Sequence, residues 1–97
     1  MVIARERELL GKVLPAHTTA AKKGSIELSA TPFYHPILPL ICDTNAGATS
    51  SPGLPLPQSR FRHPEDAREQ LSRGLDLHEK VFGLRPKGVW PSEGSVS

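Results

Sequence analysis

Two parts of the chain place apolar residues at helical spacing. The first covers residues 3–23, where the apolar positions are Leu9, Leu10, Val13 and Leu14. Pro15 predicts a kink or a second start in this helix, because proline lacks the N–H group that an interior helical bond needs. Gly24 predicts its end, since glycine readily adopts the left-handed conformation that closes a helix.

The second pattern predicts a helix over residues 64–82. Pro64 suits the first helical position and Gly83 suits the position after the last turn. The apolar stripe of this helix consists of Ala67, Leu71, Leu75, His78 and Phe82. Gly74 interrupts it at a cost of about 1 kcal/mol relative to alanine, so we expect this position to pack closely against a neighbouring strand.

The remaining segments predict strands and loops. Residues 25–29 alternate polar and apolar side chains, which places Glu27 on the opposite face from Ile26 and Leu28. Residues 88–90 predict a short buried strand, which ends at Pro91 because proline cannot donate to a sheet ladder. Residues 32–40 contain three prolines and predict an ordered loop, and the polar residues 42–62 predict an irregular exposed loop.

The order helix, strand, loop, helix, strand predicts an α/β fold. A strand, a crossover helix and a second strand form a parallel unit, and parallel strands need helices on their faces. Two strands alone would leave unpaired backbone groups on both edges. We therefore expect a fragment of a larger parallel β/α sheet or barrel.

Composition excludes several classes of protein. The chain has 97 residues and a net charge of +2, which allows one small domain and gives no indication of nucleic-acid binding. Its longest apolar stretch, residues 36–42, is too short to cross a bilayer, so we expect a cytoplasmic protein without membrane contact. A single cysteine, Cys42, excludes an internal disulfide. The four histidines lack ligand spacing and no phosphate-binding loop is present, so we expect no metal and no cofactor.

Glu93 is the best candidate for a catalytic group. It lies three residues after Trp90, in the turn that leaves the second predicted strand, and such turns carry the chemistry of barrel enzymes. The alternative is a solvated glutamate in a frayed segment. Glu27 and Glu93 on one rim of a parallel sheet would give the paired carboxylates that glycoside hydrolysis uses. Trp90 suits sugar stacking and core packing, and composition alone favours core packing.

Four blocks of residues make a family resemblance specific. They are Gly-Ser-Ile-Glu-Leu at 24–28, Thr-Pro-Phe-Tyr-His-Pro-Ile-Leu-Pro-Leu at 31–40, Pro-Glu-Asp-Ala at 64–67, and Trp-Pro-Ser-Glu-Gly-Ser-Val-Ser at 90–97. Together they resemble the family-57 glycoside hydrolases, a retaining group that acts on α-glucans and includes amylopullulanase-like and 4-α-glucanotransferase members. The resemblance covers residues 9–97. It implies that residues 1–97 form part of a catalytic domain built on a distorted, seven-stranded, TIM-like parallel β/α barrel.

The resemblance also implies roles for individual residues. Glu93 would be the nucleophile, Trp90 a wall of the substrate subsite, Glu27 a sugar-contacting residue, and His35 a residue lining the same cleft. The sequence departs from the family in two ways. An early His-Gln-Pro stretch is absent, and the aspartate that serves the family as general acid follows the nucleophile at a distance that these 97 residues do not cover. A retaining mechanism needs two carboxyl groups about 5–5.5 Å apart, so we expect the chain to be inactive alone.

Three hypotheses follow from these residues. The first is a partial α-glucan hydrolase or transferase, whose partners would be an α-glucan or oligosaccharide and the remainder of the barrel. The second is a noncatalytic carbohydrate-binding or assembly module derived from such a barrel. The third is an independent enzyme that uses Glu27 and Glu93 as its two carboxylates.

Overall fold

The computed structural model describes residues 1–97 and contains five α-helices. They are α1 (Val2–Leu10), α2 (Val13–Lys22), α3 (Leu38–Cys42), α4 (Gly47–Ser50) and α5 (Pro64–Phe82). Short 3₁₀ turns cover Thr44–Ala46 and Ser92–Gly94. None of the helices combines the length and the apolar character that crossing a membrane requires.

The predicted α/β barrel fragment is wrong for this structure. About 55% of the residues are helical and no sheet is present. The two predicted strands, residues 25–29 and 88–90, do not pair along their lengths, and a single parallel bridge joins Ala30, just after the first, to Val89 in the second. An isolated parallel pair is weak, and prolines immediately beyond the bridge, at 32 and 91, remove donors that would extend it.

The helix over residues 64–82 is confirmed with the predicted bounds. His63 precedes it, Pro64 opens it, and Gly83 closes it with a left-handed backbone (φ 71°). Glu65 and Asp66 lie in its first turn, where carboxylates interact favourably with the positive end of the helix dipole. Its buried residues are Ala67, Gly74 and His78, so the predicted apolar stripe is the face that packs inward.

The first predicted helix is divided in two. The break lies at Gly11 and Lys12, and Pro15 falls in the first turn of α2, where the N–H it lacks would have no helical partner. Gly24 ends α2 as predicted, with φ 75°. Its N–H donates to Ala21 and that of Ser25 donates to Ala20, both at 3.0 Å, which is the hydrogen-bond pattern of a Schellman cap.

The proline-rich segment contains a helix that the sequence did not predict. The expected loop over residues 32–40 gives way to α3 at Leu38, with Pro39 in the first turn. A proline is tolerated there because first-turn N–H groups make no intrahelical bond. The predicted irregular loop over residues 42–62 contains Thr44–Ala46 and α4, and irregular backbone follows from residue 51 to residue 63.

The small core lies between α5 and the segment that follows the first predicted strand. All six buried residues belong to this interface or to the turn beside Glu93: Ala30, Pro32, Ala67, Gly74, His78 and Ser92. Backbone hydrogen bonds hold the segment in place, because the Phe33 N–H donates to the Gln70 carbonyl at 3.0 Å. The Tyr34 N–H donates to the Gln70 side-chain oxygen at 2.8 Å.

Gly74 permits this close packing, as its position in the helix predicted. A Cβ atom added to it would overlap the Thr31 carbonyl oxygen and lie 3.3 Å from the Phe33 nitrogen. The neighbour is an extended segment and not a regular strand. The backbone of residues 31–33 therefore touches the α5 backbone directly.

The molecule exposes much more surface than a compact domain of its size. Its accessible surface is 7406 Å², whereas a compact protein of this mass exposes about 5,400 Å². Its radius of gyration is 17.9 Å, compared with about 12.5 Å for a compact chain of this length. Exposed apolar side chains cluster on α1 and α2: Val2, Ile3, Leu9, Leu10, Val13 and Leu14.

We predict that Gly74→Ala destabilises the fold by about 1–3 kcal/mol, because the added methyl group meets backbone that has no free space. Urea unfolding followed by helical circular dichroism measures the change. Gly11→Ala is the matched control, since its Cβ would lie 3.5 Å from the nearest carbonyl oxygens at an ordinary helical φ of −62°. We expect that control to be neutral or slightly stabilising, and equal effects of the two variants would contradict the packing argument.

A second prediction concerns Asp43, whose carboxylate accepts hydrogen bonds from Arg60 and so connects the two ends of the 42–62 loop. The Arg60 guanidinium, followed by the Asn45 N–H, lowers the pKa of the Asp43 carboxyl from 3.8 to about 2. Because the folded pKa lies below the unfolded value, this stabilisation is present above pH 4 and is lost as the pH falls from about 4 to about 2. The free energy of unfolding should therefore fall less steeply with decreasing pH in Asp43→Asn than in the wild type between about pH 4 and pH 2. An unchanged slope would contradict the assignment.

Candidate active site

Two segments that run in the same direction bring the candidate site together. At the parallel bridge the Ala30 N–H donates to Gly88 at 3.2 Å, and the Trp90 N–H donates to Ala30 at 2.8 Å. Each segment then continues for a few residues, one to His35 and the other to Glu93. The bridge sets their relative register, so side chains 58 residues apart in sequence end side by side.

His35 and Glu93 make a direct side-chain contact. The Nε2 of His35 lies 3.0 Å from Oε1 of Glu93, and a carboxylate oxygen can only accept here, so the imidazole N–H is the donor. The side chains are 51% and 74% exposed, respectively. An exposed pair of this kind contributes little to stability, and the carboxylate remains accessible to a ligand.

Both members of this pair have an unusual backbone. His35 (φ 56°) and Glu93 (φ 57°) are the two residues other than glycine with positive φ in the chain. His35 also precedes Pro36, and a residue before proline favours extended backbone, which makes a positive φ there more unusual. Strain of this kind costs on the order of 1–3 kcal/mol per residue and concentrates at functional sites.

Local hydrogen bonds hold each strained residue. The His35 N–H donates to the Pro32 carbonyl at 3.0 Å, which closes a turn whose first residue is buried against α5. On the other side, the Gly94 N–H donates to Pro91 and the Ser95 N–H donates to Ser92. Ser92 is 1% exposed, and its Oγ has no hydrogen-bond partner within the protein.

The predicted site residues do not all meet. Trp90 lies on the segment that leads to Glu93 and is 62% exposed, so it is not a core residue of this structure. Glu27 lines a separate cleft of about 440 Å³, together with His78, Arg85 and Lys87. None of His35, Trp90 and Glu93 borders that cleft.

Sequence reasoning missed one residue that shapes this region, Gln70, and the hydrogen bond of a second α5 residue, His78. Gln70 anchors the backbone before His35 through both its carbonyl and its side-chain oxygen. Its position one helical turn before Gly74 was the available signal, because residues four apart lie on one face. His78 was predicted as a stripe residue, but its Nδ1–H donates to the Leu84 carbonyl at 2.9 Å and leaves a buried Nε2 without a partner.

The geometry suits carboxylate chemistry. Glu93 presents one oxygen bound to His35 and a second, Oε2, that accepts no hydrogen bond from the protein. No group of three or more His, Cys, Asp or Glu side chains lies close enough to hold a metal ion. The residues at hand are therefore a carboxylate, an imidazole and an exposed indole.

Comparison with known protein families identifies the chain. The sequence model described as glycosyl hydrolase family 57 matches residues 2–97. The chain belongs to glycosyl hydrolase family 57. Neither the curated proteins nor the solved structures contain a match to it.

Family-57 membership gives the class of chemistry and of substrate. The family is described as one of glycosyl hydrolases, so its chemistry is glycosidase activity and its substrates are carbohydrates. This fits a site with a free carboxylate oxygen. The match includes α1 and α2 as well as the candidate site, so the exposed helices are part of the family sequence.

Proposed function

We propose that this chain contributes the nucleophile to a retaining family-57 glycosidase that acts on α-glucans, and that Glu93 is that nucleophile. The observation that carries the proposal is the contact between Glu93 and His35 at two left-handed backbone positions. A strained turn with an exposed carboxylate is a feature of functional sites more than of structural ones. Glu27, Trp90 and His35 remain the proposed sugar-contacting residues.

In the proposed reaction, the free oxygen of Glu93 attacks the anomeric carbon of the sugar. The bond from that carbon to the leaving oxygen breaks, and a covalent glycosyl-enzyme forms. Glu93 has an imidazole as its side-chain partner, and Glu27 lies in another cleft. We therefore propose that the general acid comes from residues outside 1–97, and that the chain is inactive alone toward substrates whose leaving group needs a proton.

The exposed surface supports a requirement for further protein. The excess over a compact domain is about 2,000 Å², which is comparable to a large protein interface. Six of the exposed large apolar side chains lie on α1 and α2. We propose that further residues of a family-57 catalytic domain cover these helices.

Trapping with 5-fluoro-α-glucosyl fluoride tests the nucleophile without a general acid. Attack by Glu93 forms a bond to C1 and expels fluoride with the bonding electron pair, so no proton is needed. We expect mass spectrometry of the digested protein to find the adduct on Glu93, and no adduct in Glu93→Gln.

Glu69→Gln is the matched control for this experiment, because Glu69 is an exposed carboxylate that pairs with Arg73 on α5. It should be labelled as fast as the wild type. Absence of any adduct on wild-type Glu93 would refute its role as nucleophile. Labelling that shifts to Glu27 would instead support the independent two-carboxylate enzyme.

A noncatalytic carbohydrate-binding role is the second candidate, and the exposure of Trp90 favours it. Trp90 is the single tryptophan, so its fluorescence reports on one position. Maltooligosaccharides should quench that fluorescence in a saturable way, because a sugar ring stacked on the exposed indole changes its environment. Cellooligosaccharides, with β linkages, are the control.

The nucleophile role and the binding role predict different results when the fluorescence and trapping experiments are compared. Saturable quenching without an adduct on Glu93 would support the binding module. No response to either sugar series would count against Trp90 as a substrate wall.

A further inference from the structure

We propose that His35 is a positioning residue that holds the Glu93 carboxylate for attack by donating its Nε2–H to Oε1. This inference rests on the proposed function of Glu93. It assigns His35 a role that acts through Glu93, beyond the contact with sugar expected of a residue that lines the cleft. The structural basis is a 3.0 Å hydrogen bond between groups separated by 58 residues in sequence.

The hydrogen bond gives the two carboxylate oxygens of Glu93 different roles. Oε1 accepts from His35, whereas Oε2 has no partner in the protein. A carboxylate fixed through one oxygen presents the other in a defined direction, and attack on a sugar carbon requires such alignment. Without this bond, a side chain that is 74% exposed would sample several rotamers.

The imidazole is the better anchored member of the pair. Its turn is closed by the bond from the His35 N–H to Pro32, a fully buried residue. The two residues before it donate their N–H groups to Gln70 of α5. Direct contact with Gly74 fixes the start of the same segment. His35 is thus connected through a few bonds to the longest helix, and Glu93 lies in a short turn beside it.

The direction of the hydrogen bond is independent of the charge on the imidazole. Nε2 donates in the imidazolium and in the neutral tautomer that carries the Nε2 proton. An ionised Glu93 remains the acceptor in both cases. Oε2 of the carboxylate therefore stays free to attack while Oε1 is held.

The left-handed backbone at both positions supports a positioning role. Each strained residue turns its chain so that two segments, parallel at the Ala30–Val89 bridge, direct their side chains toward each other. An exposed side-chain contact alone would not compensate for two such conformations. The geometry of the carboxylate explains these two conformations better than stability does.

The kinetics of labelling by 5-fluoro-α-glucosyl fluoride separate positioning from sugar contact. We expect His35→Ala to lower the maximal labelling rate constant of Glu93 about tenfold, a larger effect than the loss of its sugar contact has on the half-saturating reagent concentration. His35→Gln should recover part of the rate, because its amide can donate a similar hydrogen bond. A raised half-saturating concentration at an unchanged maximal rate would overturn the proposal, and so would wild-type kinetics in His35→Ala.

Nitrogen NMR of the imidazole tests the contact independently of labelling. The Nε2 resonance of His35 at neutral pH should show a protonated nitrogen and should shift in Glu93→Ala. Glu27→Ala is the control, since Glu27 lines a different cleft, and it should leave that resonance in place.

The two readouts distinguish the failure of each proposal. If wild-type Glu93 forms no adduct, the nucleophile assignment fails, and the NMR comparison alone then decides whether His35 holds the carboxylate. If the His35 Nε2 resonance does not shift in Glu93→Ala, the positioning role is overturned, even where wild-type Glu93 is labelled.

Discussion

The close approach of α5 to the backbone of residues 31–33 is the constraint on which the rest of this structure depends. It requires a residue without a side chain at Gly74, because Thr31 occupies the space that a Cβ would need. Around this contact lie five of the six buried residues, and Ser92 is the sixth. The same contact fixes the segment that ends in His35. Fold and site are therefore connected through one helix-to-backbone interface.

That interface explains how a chain with so little core can define a site at all. Burial of apolar side chains contributes little here, since Ala30 and Ala67 are the buried hydrophobic residues apart from Pro32. Hydrogen bonds from backbone N–H groups, to Gln70 and across the Ala30–Val89 bridge, position the segments that carry His35 and Glu93 instead. They orient two short segments, and the contact between His35 and Glu93 follows from their parallel course. A small part of the molecule is therefore enough to determine the relative positions of His35 and Glu93.

The remainder of the molecule is underpacked, and this agrees with the family assignment. A match over residues 2–97 includes α1 and α2, whose apolar side chains face solvent. Helices with this pattern gain most of their stability from tertiary packing. Their exposure is the basis of the proposal that further residues of a catalytic domain cover them. By contrast, the 42–62 loop is closed locally. Asp43 pairs with Arg60, the Thr44 N–H donates to the Phe61 carbonyl, and the Phe61 N–H donates to the Thr44 hydroxyl.

The sequence by itself determined the elements whose signals are local. Pro64 and Gly83 bound α5, Gly24 ends α2, and the glycine at 74 marked a close contact, because each of these effects depends on the conformational limits of one residue. Family motifs likewise singled out Glu93 and His35 as candidates. The sequence failed where pairing between distant segments decides the outcome. Residues 25–29 and 88–90 have strand patterns, but a sheet needs partner strands, and these two segments share one bridge.

Only the tertiary structure decided which candidates meet. Glu27 and Glu93 looked like a carboxylate pair, whereas the fold places Glu27 in a cleft with His78 and joins Glu93 to His35. No pattern in either segment encodes that contact, because it arises from the register of the bridge and from two left-handed turns acting together. Local sequence fixes what each residue can do chemically. Packing over long sequence separations decides which residues are close enough to act together.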